Sequence, residues 1–330
     1  MKDPFPITCF ERSQKTLNWV IQQIEANGKI KSFPDDLVGY YKLPYLLTTT
    51  GHPVLAKKVF DYMQNTFFTQ NGMLTFDNKK TENLLMAKFW GYVLGWVAIA
   101  AQKAGRFDLS FPLHHHLTHF QSQDHGGFAT SGAWGKHDEA MDVITTAQLG
   151  RLSLFFGMKF EAIKAGEFLS WNINHQPKLT ESLYLFVNND KKHILKYPRE
   201  MEMIYVVNKS LPNQAYFMIG LPCAFLVDLF LATKQAHFLN AAKQYADFAL
   251  ECHESIKSFH FSHKVAYAMA MLYRYTKEEK YLSMCKSITE YLIQIQDEDG
   301  IWLRKEGQVN SFDQSLEIAI WLNEIHTHLA

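Results

Sequence analysis

The stretch NQAYFMIGLPCAFLVDLFLATKQAHFLNAAKQYADFALEC, residues 213–252, carries two helices of different character joined by a short turn. Its first half is apolar nearly all round, as a helix walled on two sides must be. Lys234 and Gln235 interrupt it. From Ala236 onward the apolar residues fall on one stripe, which covers a neighbour and leaves the opposite face to water.

This unit recurs. Amphipathic outer helices are predicted over 12–26, 53–68, 109–122, 159–173, 236–252 and 279–296, and apolar inner helices over 36–48, 81–103, 138–156, 213–233, 263–275 and 313–326. Inner-to-outer links are short: TTTGHPV, QKAGRF, FFGMKF, ATKQAHF and YTKEEKY place Gly or Lys where a helix C-terminus stops. Outer-to-inner links are longer: QNGMLTF, QDHGGFATSGAWGKH, QDEDGIWLRKEGQVNSF, and residues 174–212, where SLYLFV and EMEMIYVV around NNDKK predict a β-hairpin. Six such hairpins close into an all-α (α/α)6 toroid, a single domain over residues 1–330. An open α-solenoid would not need both faces of its inner helices to be apolar. Variable loops on a rigid scaffold carry function, so the outer-to-inner face is the working face.

Composition narrows the chemistry. With 33 Lys+Arg against 33 Asp+Glu the chain has no electrostatic footprint for nucleic acid or an anionic bilayer. Hydrophobic content of 47 % excludes disorder, and 17 Gly and 10 Pro exclude collagen-like architecture. Cysteines 9, 223, 252 and 285 show no CxxC spacing, which argues against a zinc ribbon or a disulfide framework. The amino terminus MKDPFPITCFERSQ lacks a signal-peptide pattern, and the longest apolar run, residues 89–101, is too short to span a bilayer, which takes about 20 residues. The expectation is a soluble cytoplasmic protein acting on a small molecule, with no nucleic-acid partner, no membrane insertion, no cofactor and no metal.

YLIQIQDEDGIW (residues 291–302) resembles the QW motif of terpenoid cyclases, and HHLTHFQSQDHGGF (115–128) resembles the same element in protein prenyltransferase β-subunits. FDYMQNTFFTQNGMLTF is a weaker third copy. The resemblance implies an α/α toroid with an aromatic cavity. Neither the DxDD acid of class II cyclases nor a DDxxD metal motif is present, since Asp35–Asp36 is followed by Leu-Val-Gly. ATKQAHFLNAAKQYA also resembles the six-hairpin toroids of glycoside hydrolases, polysaccharide lyases and sugar epimerases.

Aligning the inner helices at their starts places Asp36, Asn83, Asp138, Gln214, His263 and Asp313 in one ring, where Asp and Asn also serve as helix caps. One turn deeper the ring is Tyr40, Ala87, Asp142, Met218, Tyr267 and Glu317. An acid inside an apolar helix costs free energy unless it is paired or used. Asp142 and Glu317 are therefore expected to face each other as general acid and general base. Asp138 and His263 join them in the catalytic set. Tyr40, Tyr41, Glu82, Lys88, Trp90, Trp134, Tyr216, Tyr267 and Asp313 are expected to bind substrate, the aromatic faces stacking on it. The reaction expected is that of an acid/base cyclase, isomerase or lyase on a small, partly apolar metabolite. Carbohydrate hydrolysis, lysis or epimerisation by the same carboxylates, and a non-catalytic ligand-binding toroid, are the alternatives.

Overall fold

Left-handed backbone at five positions punctuates the chain. In the computed structural model, which describes residues 3–69, 73–74, 84–135 and 140–330, Gly51, Gly105, Gly157, Lys234 and Lys277 take φ of 87°, 72°, 72°, 62° and 59°. A residue in this conformation just past a helix captures its last carbonyls and reverses the chain. These are the Gly and Lys positions expected from the short links.

Helix α1 (Phe5–Gln22) opens the chain. The left-handed turns then join α2 (Leu43–Thr49) to α3 (Pro53–Phe67), and α4 (Leu84–Lys88) with α5 (Trp90–Lys103) to α6 (Phe107–Thr118). They join α7 (Val143–Phe155) to α8 (Lys159–Asn174). After the short α9 (Glu202–Tyr205) they join α10 (Phe217–Thr233) to α11 (Ala236–Leu250) and α12 (His263–Thr276) to α13 (Glu279–Ile295). Helix α14 (Gln308–Leu329) completes fourteen α-helices among the described residues, and none of those helices is long and apolar enough to cross a membrane.

The chain divides into two compact units. One runs to Thr118 and takes up Ile293–His328, so it holds α1–α6 and nearly all of α14; the other is His119–Leu292, with α7–α12 and most of α13. In the first, α5 is buried from Gly91 to Ala101 and lies against α2 and α6. In the second, α10 is enclosed by α7, α8, α11 and α12, which is why its sequence has no polar face. Gly220 lets α10 press on α12: a Cβ there would stand 2.3 Å from the Lys264 carbonyl carbon. Backbone cannot retreat as a side chain can, so Gly220→Ala is expected to cost about 2–3 kcal/mol of stability in urea denaturation.

Outer helices end in a repeated turn. Isolated antiparallel bridges join Ile24 to Ile30, Phe68 to Leu74 and Gln121 to Phe128. Gly28, Gly126 and Gly300 share a φ of 80–92°, and each sits where a Cβ would strike the backbone of Lys58, Lys164 or Lys15. In the QW-like copies Gln296 Nε2 donates to the carbonyls of Arg12 and Gly300, and Gln121 Nε2 to those of Gly126 and Glu161. Trp302 N–H donates to Ser315 Oγ and Phe128 N–H to Thr146 Oγ1, both at 2.9 Å. The motif closes a turn onto the neighbouring helix, and its glutamines are occupied by backbone.

Several helix starts differ from expectation. Helix α7 begins at Val143, not Asp138, because Asp142 is extended (φ −129°, ψ 161°) and pairs with Phe186 across β1 (Met141–Asp142) and β3 (Phe186–Val187). Helix α14 begins at Gln308, so Asp313 lies inside it and caps nothing. Asp36 caps a 3-10 turn, Leu37–Gly39, through Val38 N–H, and α2 restarts at Leu43 with Pro44 in its first turn, where a missing N–H is harmless. The helix expected over 81–103 breaks at Phe89. Of the expected β-hairpin, β2 (Ser182–Tyr184) does pair antiparallel with β4 (Val206–Asn208). Pro198 starts helical turns through EMEM instead of a strand, and Phe186–Val187 leaves to pair with β1.

Candidate active site

Lys42 directly precedes α2 and is 1 % exposed. Its ammonium meets two carboxylates of α14, Asp313 Oδ1 at 2.8 Å and Glu317 Oε2 at 2.6 Å. The two acids stand one helical turn apart and so share a face. Glu317, 4 % exposed, also accepts from Tyr92 Oη at 3.1 Å and Trp321 Nε1 at 3.4 Å, which together with Lys42 suits an ionised carboxylate. Asp313 is the more open at 8 %, and Gln314 Nε2 donates to it at 3.3 Å. Tyr41 lies beside Lys42, whose Nζ is 4.8 Å from the ring centroid. Around Tyr92 the aromatic side chains interlock: Trp96 meets Tyr45 edge-on at 5.1 Å and Trp321 at 5.7 Å.

Two carboxylates and one ammonium leave a surplus negative charge in a dry site. Burial alone would lower the Lys42 ammonium, but Asp313 and Glu317 overcome it and hold it above the ordinary lysine value. Burial pushes the Asp313 carboxyl up, Lys42 pulls it back and Glu317 pushes it further, with a net rise. Burial first, then the same two acids, raises Tyr41 well above the usual phenol value. Lys42 therefore stays charged, and the Asp313 carboxyl binds a proton more readily than an ordinary aspartate does.

The second unit holds a different cluster. His263 is the first residue of α12 and is 1 % exposed. Its Nδ1 lies 2.6 Å from the His260 carbonyl, which only accepts, so Nδ1 carries the hydrogen and Nε2 the lone pair in the neutral ring. Nε2 meets Lys264 Nζ at 3.4 Å, and that ammonium sits 5.0 Å from the Phe217 ring centroid. Burial, aided by His263, pushes the His260 imidazole down to about 4. A group whose folded pKa is depressed this way stays neutral while the unfolded chain takes up protons. Stability is thus fully present above about pH 6.5 and falls as pH drops toward 4, by about 3 kcal/mol from this residue. His260→Gln is expected to remove most of that slope in urea denaturation series run between the two pH values.

Asp142 is buried and caps α7: Oδ1 accepts from Ile144 N–H at 2.9 Å and Thr145 N–H at 2.8 Å. It is not an acid one turn inside a helix, and its position in α7 does not match that of Glu317 in α14, so the common depth expected for the pair does not hold within their helices. Tyr40 is spent in the core, its Oη accepting from Ile30 N–H at 2.8 Å and its ring stacked on Tyr62. Tyr216 is likewise buried and bonded to Ser255 Oγ at 3.0 Å. Tyr267 is buried in α12; Lys88, Trp90 and Trp134 are half-buried, Lys88 ending α4 and Trp90 beginning α5. Glu82 and Asp138 lie outside the described residues. The structure thus gathers Asp313, Glu317 and Tyr41 around a residue that sequence reasoning missed, Lys42. Its signal was a lone charge between Tyr41 and the apolar LPYLL. Among the described residues no group of His, Cys, Asp and Glu is placed to hold a metal ion.

No protein-family model and no curated protein sequence matches the chain. Solved structures do. A D-mannose isomerase superimposes with a TM-score of 0.72 at 15 % identity, over 99 % of this chain and 100 % of that one. A GH76 α-mannanase of Bacteroides thetaiotaomicron gives 0.64 at 11 % identity over 96 % and 95 %. The cellobiose 2-epimerase of Bacillus thermoamylovorans gives 0.61 at 11 % identity over 88 % and 87 %. The chain has the all-α, α/α toroid fold of these proteins.

Proposed function

We propose that this chain is a carbohydrate-active acid/base enzyme, an isomerase or epimerase of a small sugar, in which Asp313 gives and takes the proton. The observation that carries the reading is the Lys42–Asp313–Glu317 cluster: a carboxyl group raised by burial and by a second acid, held in place by an ammonium it shares. Moving a proton next to a sugar carbonyl asks for a group that binds a proton more readily than an ordinary carboxylate and still releases it. Lys42 and Glu317 act as positioning residues, since Lys42 is saturated by carboxylates and Glu317 is the less exposed of the two acids. The solved isomerase, epimerase and mannanase structures support a sugar substrate over the terpenoid-cyclase-like reading, whose QW-like glutamines are engaged with backbone carbonyls. His263 is the second candidate for the proton carrier, favoured by its fixed tautomer.

The test is incubation with D-mannose, D-fructose, D-glucose and cellobiose in D2O, followed by proton NMR. Deuterium entering at C2, or C1 for the ketose, with interconversion of sugars establishes the reading. Release of mannose from α-1,6-mannotriose without such exchange establishes a hydrolase instead. Neither outcome with any of these sugars sinks the carbohydrate assignment. His263→Asn beside Asp313→Asn shows which side chain carries the proton.

A further inference from the structure

A cavity of about 200 Å³ lies in the first unit, and none of Lys42, Asp313 and Glu317 lines it. Trp19 and Gln23 border it at the end of α1, Phe33 in the following loop, and Arg304, Gln308 and Phe312 at and before the start of α14. Phe312 is buried and braces the other two rings, with Trp19 at 5.4 Å and 56° and Phe33 edge-on at 5.1 Å and 71°. The half-buried Trp19 and Phe33 complete an apolar wall whose orientation is fixed by packing. Ile30 and Ile301 extend this wall and polar side chains complete the lining; among the described residues neither Gln308 nor the bordering Ser32 makes a side-chain hydrogen bond.

Charge decides what such a cavity accepts. Arg304 is its cation, but Nε donates to Asp297 at 2.7 Å and Nη2 to Asp299 at 2.6 Å, so the guanidinium is answered twice. A phosphate or carboxylate would have to displace these two acids to use the arginine. The volume falls below the roughly 300–1,000 Å³ of drug-sized sites, which admits one ring and no chain. A lining of aromatic rings together with amides and hydroxyls matches a molecule with an apolar C–H face and a polar hydroxyl edge.

We infer that this cavity is a second ligand site, for a single neutral sugar ring stacked on Trp19 and bonded by Gln308 and Ser32, distinct from the site of proton transfer. The choice of a sugar among neutral hydroxylated rings rests on the carbohydrate reading above. Methyl α-D-mannoside and methyl β-D-glucoside are suitable probes, because their locked anomeric centres prevent isomerisation and so separate binding from turnover. With tryptophan indole nitrogens labelled, Trp19→Phe identifies one resonance among the 7 tryptophans of the chain. That resonance is expected to shift saturably with a methyl glycoside. Gln308→Ala, an exposed change, is expected to weaken binding about fivefold, the worth of one hydrogen bond. Asp313→Asn is expected to leave the titration unchanged. A Trp19 resonance silent to both glycosides, or a shift indifferent to Gln308→Ala and Ser32→Ala together, overturns the inference. Sugar turnover with a silent Trp19 removes this site alone, whereas a responsive Trp19 without turnover removes the proposed reaction and leaves the site standing.

Discussion

Lys42→Met is expected to lower the unfolding free energy by about 3–5 kcal/mol, the cost of stranding buried charge when one partner of an ion pair is removed. Methionine fills much of the lysine stem's volume, so the loss reports charge and not a cavity. Asp313 and Glu317 would then face each other across a dry site without a counter-ion. Their carboxyls would rise in pKa, and a group raised on folding contributes stability that is present at low pH and lost as pH climbs through its folded value. The variant is therefore expected to recover stability on going from pH 7.5 to 5, and Lys42→Met with Glu317→Gln to recover part of it at neutral pH. Urea denaturation at both pH values measures this. A Lys42→Met protein as stable as wild type at pH 7.5 would show that the cluster is not the tightly coupled unit described.

Asp313→Asn is expected to reduce turnover by about 10²–10⁴-fold, the usual worth of a positioned proton carrier. Stability should change little, within about 1 kcal/mol, because the amide oxygen still accepts from Lys42 and the surplus negative charge is relieved. The rate of C2 deuterium incorporation measures the first effect and thermal unfolding the second. Undiminished exchange in this variant would remove Asp313 from the proton path. A fall in turnover matched by a large fall in stability would mean that the residue holds the fold instead.

The hairpin pattern was legible because its causes are local. Helix ends at Gly51, Gly105, Gly157, Lys234 and Lys277 follow from left-handed turn chemistry within a few residues, and the all-round apolarity of α10 follows from its enclosure. The QW-like strings marked a real repeated turn, although the part played by Gln121 and Gln296 is structural. Helix starts were read less well. Asp142 looked like an acid inside a helix because strand pairing with Phe186, which delays the start of α7, comes from a segment remote in the chain.

The site itself divides along the same line. Sequence alone placed Asp313 and Glu317 a turn apart on one inner helix and Tyr40 and Tyr41 on another, since helical spacing puts residues a turn apart on a shared face; the structure starts α2 after the tyrosines. Only the tertiary structure brought Lys42 to the two acids across separations of 271 and 275 residues. It also showed Glu317 accepting from Lys42, Tyr92 and Trp321, burial raising the Asp313 carboxyl, and Asp142 used as a cap. A carboxylate's proton affinity depends on how much water it loses and on which charges stand within a few ångströms. Both quantities are created by long-range packing and have no local signature.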